Sequence, residues 1–220
     1  MLTSELRAPI TDLVLFDDDP AWSHERVVIA MGASVQPGVV MAKITAGAAV
    51  VAAKIGNTGN GVLTMNAVSP ILKNVTPGIY TLHCITVAVG GGTFRVNAPD
   101  GAVLGDVAVG AIFANQIDFS IAAGVADFAL HDAFTITVAR GNGKYVPLNV
   151  AGVGGAEVAV AVAYEAADAT AADKRCVVLA RGVIVDSAGL IWPAGATVDD
   201  IATGIDQLEK HSGILTRTAL

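Results

Sequence analysis

Several things are scarce in this 220-residue sequence, and each shortage excludes something. There are only two cysteines, Cys84 and Cys176, far apart and with no C-x-x-C partner. That excludes a disulfide scaffold or a zinc ribbon and suits buried, reduced thiols. Aromatic residues make up 5% and charged residues 15% of a chain that is 53% apolar, so the apolar excess is Ala and Val, the material of tightly packed small-residue sheets. Basic clusters are missing and the net charge is −7, which excludes a sequence-independent nucleic-acid binder. Unbroken apolar runs are missing too. Residues 74–94, the longest uncharged stretch of that kind, are interrupted by Thr, Pro, His and three consecutive Gly, short of the roughly 18 apolar residues a membrane span needs. The start, "MLTSELRAPITDL", has an acid at Glu5 and no basic segment leading into an apolar core, so no signal peptide is expected and the chain should stay where it is made until assembly.

Reactive constellations are equally sparse. His24, His83, His131 and His211 are scattered, with no spacing that would hold zinc or place a base beside a nucleophile; His83 reads as a partly buried strand histidine. Asp17, Asp18 and Asp19 before Pro20 read as a solvated, turn-forming loop, because adjacent carboxylates do not make the spaced cage of a calcium loop. "GNTGNG" (56–61) and "GVGGAE" (152–157) lack the Lys-Ser/Thr of a phosphate loop and read as turns. No nucleophile motif and no paired carboxylates are legible, so the expectation is a non-enzyme with no catalytic residue, no metal and no cofactor.

What is present is β-patterning, and the expected class is mainly β with a small α component. From Ile55 to Ala139 the alternation is strict: Phe94 and Val96 flank Arg95, Ile117, Phe119 and Ile121 flank Asp118 and Ser120, and Phe134, Ile136 and Val138 flank Thr135 and Thr137. Turn signals separate these runs at Thr76–Gly78, Gly90–Gly92, Pro99–Gly101, Ala122–Gly124 and His131–Ala133, the spacing of an antiparallel sandwich. The stretch 55–139 therefore reads as a β-sandwich inserted in a discontinuous outer domain made of 1–54 and 140–220. In the outer part, "AEVAVAVAYEA" and "CVVLARGVIV" read as strands and "ADATAADKR" between them as an acidic or helical turn.

One helix is well marked. Thr197 stands as N-cap, Asp199 and Asp200 in the first turn, Val198, Ile201, Ile205 and Leu208 along one face, and Lys210 and His211 in the last turn before Gly213. Gly204 sits inside it without an evident reason. Just upstream, "GLIWP" places one of the two Trp beside Pro193, which reads as the stop of the preceding strand.

The stretch "GLIWPAGATVDDIATGIDQLEKHSGILTR" (189–217), preceded by "GKYVPL" (143–148) and "AYEAADATAADKRCVVLARGVIVDS" (163–187), resembles the lambda-type phage head decoration proteins, and "VIAMGASVQPGVVMAKIT" (28–45) is similar to their early β segment. The resemblance covers roughly 1–54 and 140–220; the middle is similar to a β-module that recurs in phage structural proteins. It implies a strand, a Trp-Pro turn, a short helix and a terminal strand. It also implies a homotrimer seated at threefold and quasi-threefold sites on the outer surface of an expanded head, made in the host cytoplasm and clamping the major capsid protein against internal DNA pressure. On that reading Leu13, Val14, Leu15 and Phe16, within a possible N-terminal arm at 1–20, are candidate capsid contacts. They could add as a strand to an exposed sheet edge, or form an ordinary first strand of the chain's own sheet. Trp192, Pro193, Ile201, Ile205 and Leu208 are candidate trimer or core anchors. The alternative is a tail or surface module that binds a host receptor or glycan through the sandwich, a reading weakened by its single Tyr80 and absence of Trp.

Overall fold

The computed structural model describes residues 13–218, so most of the possible N-terminal arm lies outside the described residues. Two compact units are present. One comprises the described residues up to Ile44, then Gly143–Gly152 and the chain from Ala156 onward; the other comprises Thr45–Asn142 with Val153–Gly155.

The first unit opens with β1 (Val14–Asp17), the one-turn helix α1 (Pro20–Ser23), β2 (His24–Ile29), β3 (Ala33–Val35) and β4 (Val40–Lys43). The chain then builds the second unit from β5 (Ala46–Ala53), β6 (Val62–Met65), β7 (Gly78–Ala88), β8 (Gly91–Asn97), β9 (Val103–Ala108), β10 (Ile112–Ala114), β11 (Asp118–Ala122) and β12 (Ala133–Arg140). It returns to the first through β13 (Tyr145–Pro147), β14 (Ala159–Ala163), β15 (Ala167–Ala169), β16 (Lys174–Leu179), β17 (Val183–Asp186), α2 (Val198–Ser212) and β18 (Leu215–Arg217). The fold is mainly β, as the alternation requires.

In the second unit a five-stranded antiparallel sheet, β5-β12-β7-β8-β9, and a three-stranded one, β10-β11-β6, share one core. The residues that alternate in sequence are the ones inside: Phe94, Val96, Ile117, Phe119, Ile121, Phe134, Ile136 and Val138 are all buried. Five of the six Phe gather here, with Phe94 edge-on to Phe128 at 4.9 Å and Phe113 stacked on Phe119 at 5.2 Å. A chain poor in aromatics thus concentrates them in one core, where each buries the most area. The unit begins at Thr45, before the "GNTGNG" turn, because β5 pairs along its length with β12. Its sequence, "AGAAVVAA", has small apolar residues on both faces and so shows no period.

In the first unit β13, β2, β16, β14 and β4 close into a barrel. Along β14 both faces are buried: Ala161 and Ala163 lie in the core with Ile29 and Met41, and Ala159 and Val162 in the core with Leu208 and Leu179, while Val160 is only half-buried. Small side chains inside suit a barrel of only five strands. "ADATAADKR" is not helical: it holds β15, which pairs with β3, then a turn into β16. Two strands lie outside the barrel with β1, in the order β1-β17-β18, and β18 runs parallel to β17 after α2.

Helix α2 forms where its caps place it. Thr197 Oγ1 accepts from Asp200 N at 3.2 Å while Asp200 Oδ2 accepts from Thr197 N at 2.9 Å, a reciprocal capping box. Gly213 ends the helix in the left-handed region at φ 61° and donates its N–H to Glu209 O. The helix is seated on β14 by Gln207 Oε1, which accepts from Ala159 N, and by Ser212 Oγ, which donates to Val160 O. One expected position on its buried face fails: Val198 is 82% exposed.

Candidate contact surfaces

The C-terminal anchors separate into two groups. Leu208 is fully buried in the core that also holds Val162, Leu179, Val185 and Ile214, and Trp192 packs half-buried against that core. Ile201, Ile205 and Pro193 are half-buried. Gly204 now has its reason: a Cβ there would stand 2.9 Å from Trp192 Cη2 and closer still to Cζ3, so the indole occupies the space a side chain would need. Pro193 does not stop β17, which ends at Asp186 with its carboxylate accepting from Ala188 N. Between the two, Ile191 pairs with the β4 entry, donating to Gly38 O at 2.8 Å and accepting from Val40 N at 3.1 Å.

The N-terminal candidates also divide. Leu13 is buried in the same core and Val14 is half-buried, whereas Leu15 and Phe16 are 40% and 54% exposed. The cause is a register shift against β17: Val14 faces Val185 and Phe16 faces Ile184, leaving Leu15 as the extra residue of a bulge. Simple alternation would have turned one of Leu15 and Phe16 inward. Among the described residues β1 is an edge of its sheet, with β17 as its one neighbour, so the described part of this segment is a strand of the chain's own sheet that no other described strand covers on its second side.

The acidic loop is not wholly solvated. Asp19 caps α1 by accepting from Ala21 N at 2.9 Å, and Asp17 is nearly buried beside Ser23 and His24. Ser23 Oγ donates to Asp17 Oδ1 at 2.8 Å, and His24 Nδ1 lies 3.1 Å from that hydroxyl and 3.3 Å from Asp17 Oδ2. The trio has the residue types of a nucleophilic triad without its geometry: one ring nitrogen faces both partners, and Ser23 is fully buried. It knots β1, α1 and β2 together.

Sequence patterning gave no role to Trp22. It is 55% exposed at the end of α1, its ring laid against Gly182, where a Cβ would meet Cη2 at 2.7 Å, with Arg181 stacked at 6.0 Å. Together with Glu25, Lys43, Tyr145 and His211 it lines an open cleft on the first unit. The signal that could have found it was "DDPAW": an N-cap Asp followed by Pro at the first helical position.

Inside the second unit the polar groups are structural. Asp132 is buried and accepts from Thr58 N, Gly59 N and Ala129 N at 2.8 to 3.0 Å. Burial opposes its ionisation, but those amides and nearby Lys54 outweigh it and hold the carboxyl below the usual range. Tyr80 is fully buried, donating to Gln116 Oε1 at 2.7 Å and accepting from Thr76 N at 3.0 Å, so no ring is offered to a sugar there. His83 is exposed, not partly buried. Cys84 and Cys176 are buried free thiols, both pushed up chiefly by desolvation. Among the described residues no group of three or more His, Cys, Asp or Glu is placed to hold a metal ion.

A barrel, a sandwich and half-exposed apolar edges are the equipment of a structural protein that works by contact. The family model described as bacteriophage lambda head decoration protein D matches residues 63–214, and the chain belongs to that family. That family is one of structural capsid proteins. The match begins in β6 and includes most of the second unit, whereas the early β segment, 28–45, lies outside it. No curated protein matches the chain significantly. Two crystal structures of Xanthomonas campestris FlgL, in space groups H3 and C2, align with 48% and 50% of this chain at 18% and 19% identity. The TM-scores are 0.32 and 0.31, and only 34% and 31% of those chains are covered, a likeness too slight to argue from.

Proposed function

We propose that the chain binds the expanded head as a homotrimer at threefold and quasi-threefold sites, fastening neighbouring major capsid subunits against internal DNA pressure, with the second unit directed outward. The observation that carries this reading is β1: an edge strand whose bulge turns both Leu15 and Phe16 to solvent while Leu13 anchors it in the core. An edge strand with two exposed large apolar side chains is suited to strand addition against a shell subunit. The half-buried face of α2, Ile201 and Ile205 beside Trp192, supplies apolar area for a seam between copies. Many copies on one shell make modest contacts sufficient.

The test is to mix purified protein with expanded, undecorated heads. Density with threefold symmetry at those sites supports the reading, and its loss in Leu15→Asp/Phe16→Asp with the fold intact assigns the contact to β1. A monomer that never binds heads contradicts it.

A further inference from the structure

The two edges of the five-stranded sheet in the second unit are built differently. Strand β9 is guarded: it carries Asp106, has Gly105 at φ 144°, and its pairing with β8 is broken by a bulge between Val96 and Asn97. Charge, irregular backbone and bulges are the usual means by which a sheet edge is kept from pairing with another chain. Strand β5, at the opposite edge, carries no charge and no Pro, and along Ala49–Ala53 it pairs with β12 without a break. Its one register shift lies at its start, where Gly47 and Ala48 together oppose the single residue Ala139.

The backbone on that side is open. Among the described residues, the ladder of Ala49–Ala53 runs to β12, and the Thr135 hydroxyl that reaches Ala52 O also belongs to β12. Ala48, Val50 and Ala52 are exposed on the outer face, with Val50 at 65%, and continue onto Thr135 and Thr137 of β12. The ion pair on this sheet, Arg95 with Asp106, lies on β8 and β9 and neutralises itself through two hydrogen bonds at 2.9 and 3.0 Å.

We infer that β5 is a homotypic docking edge, pairing antiparallel with β5 of a second copy so that two five-stranded sheets become continuous. The occupant follows from charge and from shape. The chain carries a net charge of −7, so copies meet most easily where carboxylates are absent, and no Asp or Glu occurs between Glu25 and Asp100. A strand of Gly, Ala and Val meets itself across a twofold axis without large side chains in opposition, and each partner satisfies the other's free N–H and C=O groups. This twofold contact is independent of the threefold seam proposed above and would link one trimer to another.

Sedimentation equilibrium and amide hydrogen exchange on the full chain test it. Wild type should self-associate with rising concentration, and the amides of β5 should gain protection in step. Val50→Lys and Ala52→Lys, both at exposed positions of the regularly paired stretch, should weaken that association by about tenfold or more, since they restore the charge that guards other edges. Circular dichroism melts of the variants should match wild type. Their binding to expanded heads should be unchanged, which separates this inference from the assignment of β1. Equal sedimentation of wild type and both variants, with β5 amides unprotected at every concentration, overturns it. Protection of β5 that arises on head binding alone, with no association in free solution, overturns it as well and makes a shell subunit the occupant.

Discussion

Replacing Gly204 by Ala should act against the ordinary helix rule. Inside an exposed helix this change stabilises by about 0.8–1.0 kcal/mol, because Ala loses less backbone freedom on folding. Here the new methyl would lie within 3 Å of Trp192 Cη2, and nearer to Cζ3. The indole cannot move inward, since it already rests on the core around Leu208, Val162 and Leu179, so it must swing outward and give up apolar burial. Over-packing of this kind costs about 1–3 kcal/mol, which turns the expected gain into a net change of about 0–2 kcal/mol in the destabilising direction. Urea unfolding of four proteins reads it out: wild type, Gly204→Ala, Trp192→Ala and the double variant. With the indole removed, Gly204→Ala should recover its ordinary stabilising sign, giving a coupling of about 1–3 kcal/mol in the cycle. A gain of about 1 kcal/mol from Gly204→Ala in both backgrounds would refute the packing account of this glycine.

Three further outcomes follow from the same structure. Asp132→Asn should cost about 2–4 kcal/mol, because one of the amides that now meets a carboxylate oxygen would face an Asn N–H₂ instead. Since the Asp132 carboxyl is held below its unfolded value, its contribution is complete above that unfolded value and lost as pH falls through the folded one. Acid titrations of wild type should therefore show a stability loss on the acid side that Asp132→Asn lacks, and parallel curves would count against the assignment. Cys84 and Cys176, buried with raised thiol pKa values, should react with a thiol reagent only at the rate at which the protein opens, and prompt labelling in native buffer would show that one is reachable. Leu15→Asp should abolish head binding with a stability change within about 0.5 kcal/mol, as expected for an exposed bulge residue, whereas Leu13→Asp should prevent folding.

The sandwich was legible because its strands alternate large apolar with polar residues, as in Phe134, Thr135, Ile136 and Thr137. α2 was legible because Thr197, Asp200 and Gly213 are chemically specific caps. β5 was not, since Gly, Ala and Val on both faces leave no period to read, and "ADATAADKR" reads as a polar turn although Ala167 and Ala169 point into the core. The closed barrel could not be read from any one segment, because closure is a property of five strands whose small inward residues resemble their outward ones. In β1 the bulge at Leu15 breaks the expected alternation, and a bulge depends on the partner strand, which sequence spacing does not reveal. Trp22 was overlooked for a related reason: its seat is Gly182, brought to it only by folding. Pro193 beside Trp192 reads as a strand stop, but the strand ends seven residues earlier, at Asp186, where the carboxylate turns the chain.

The central claim is that this chain decorates the outside of a phage head through β1. Electron cryo-microscopy of expanded, undecorated heads of its own phage, incubated with the purified protein, tests that claim most directly. Trimeric density is expected at the threefold and quasi-threefold positions, with residues 13–17 against a shell subunit. Bare heads at saturating protein, or density that meets the shell through the second unit with β1 facing solvent, would contradict it.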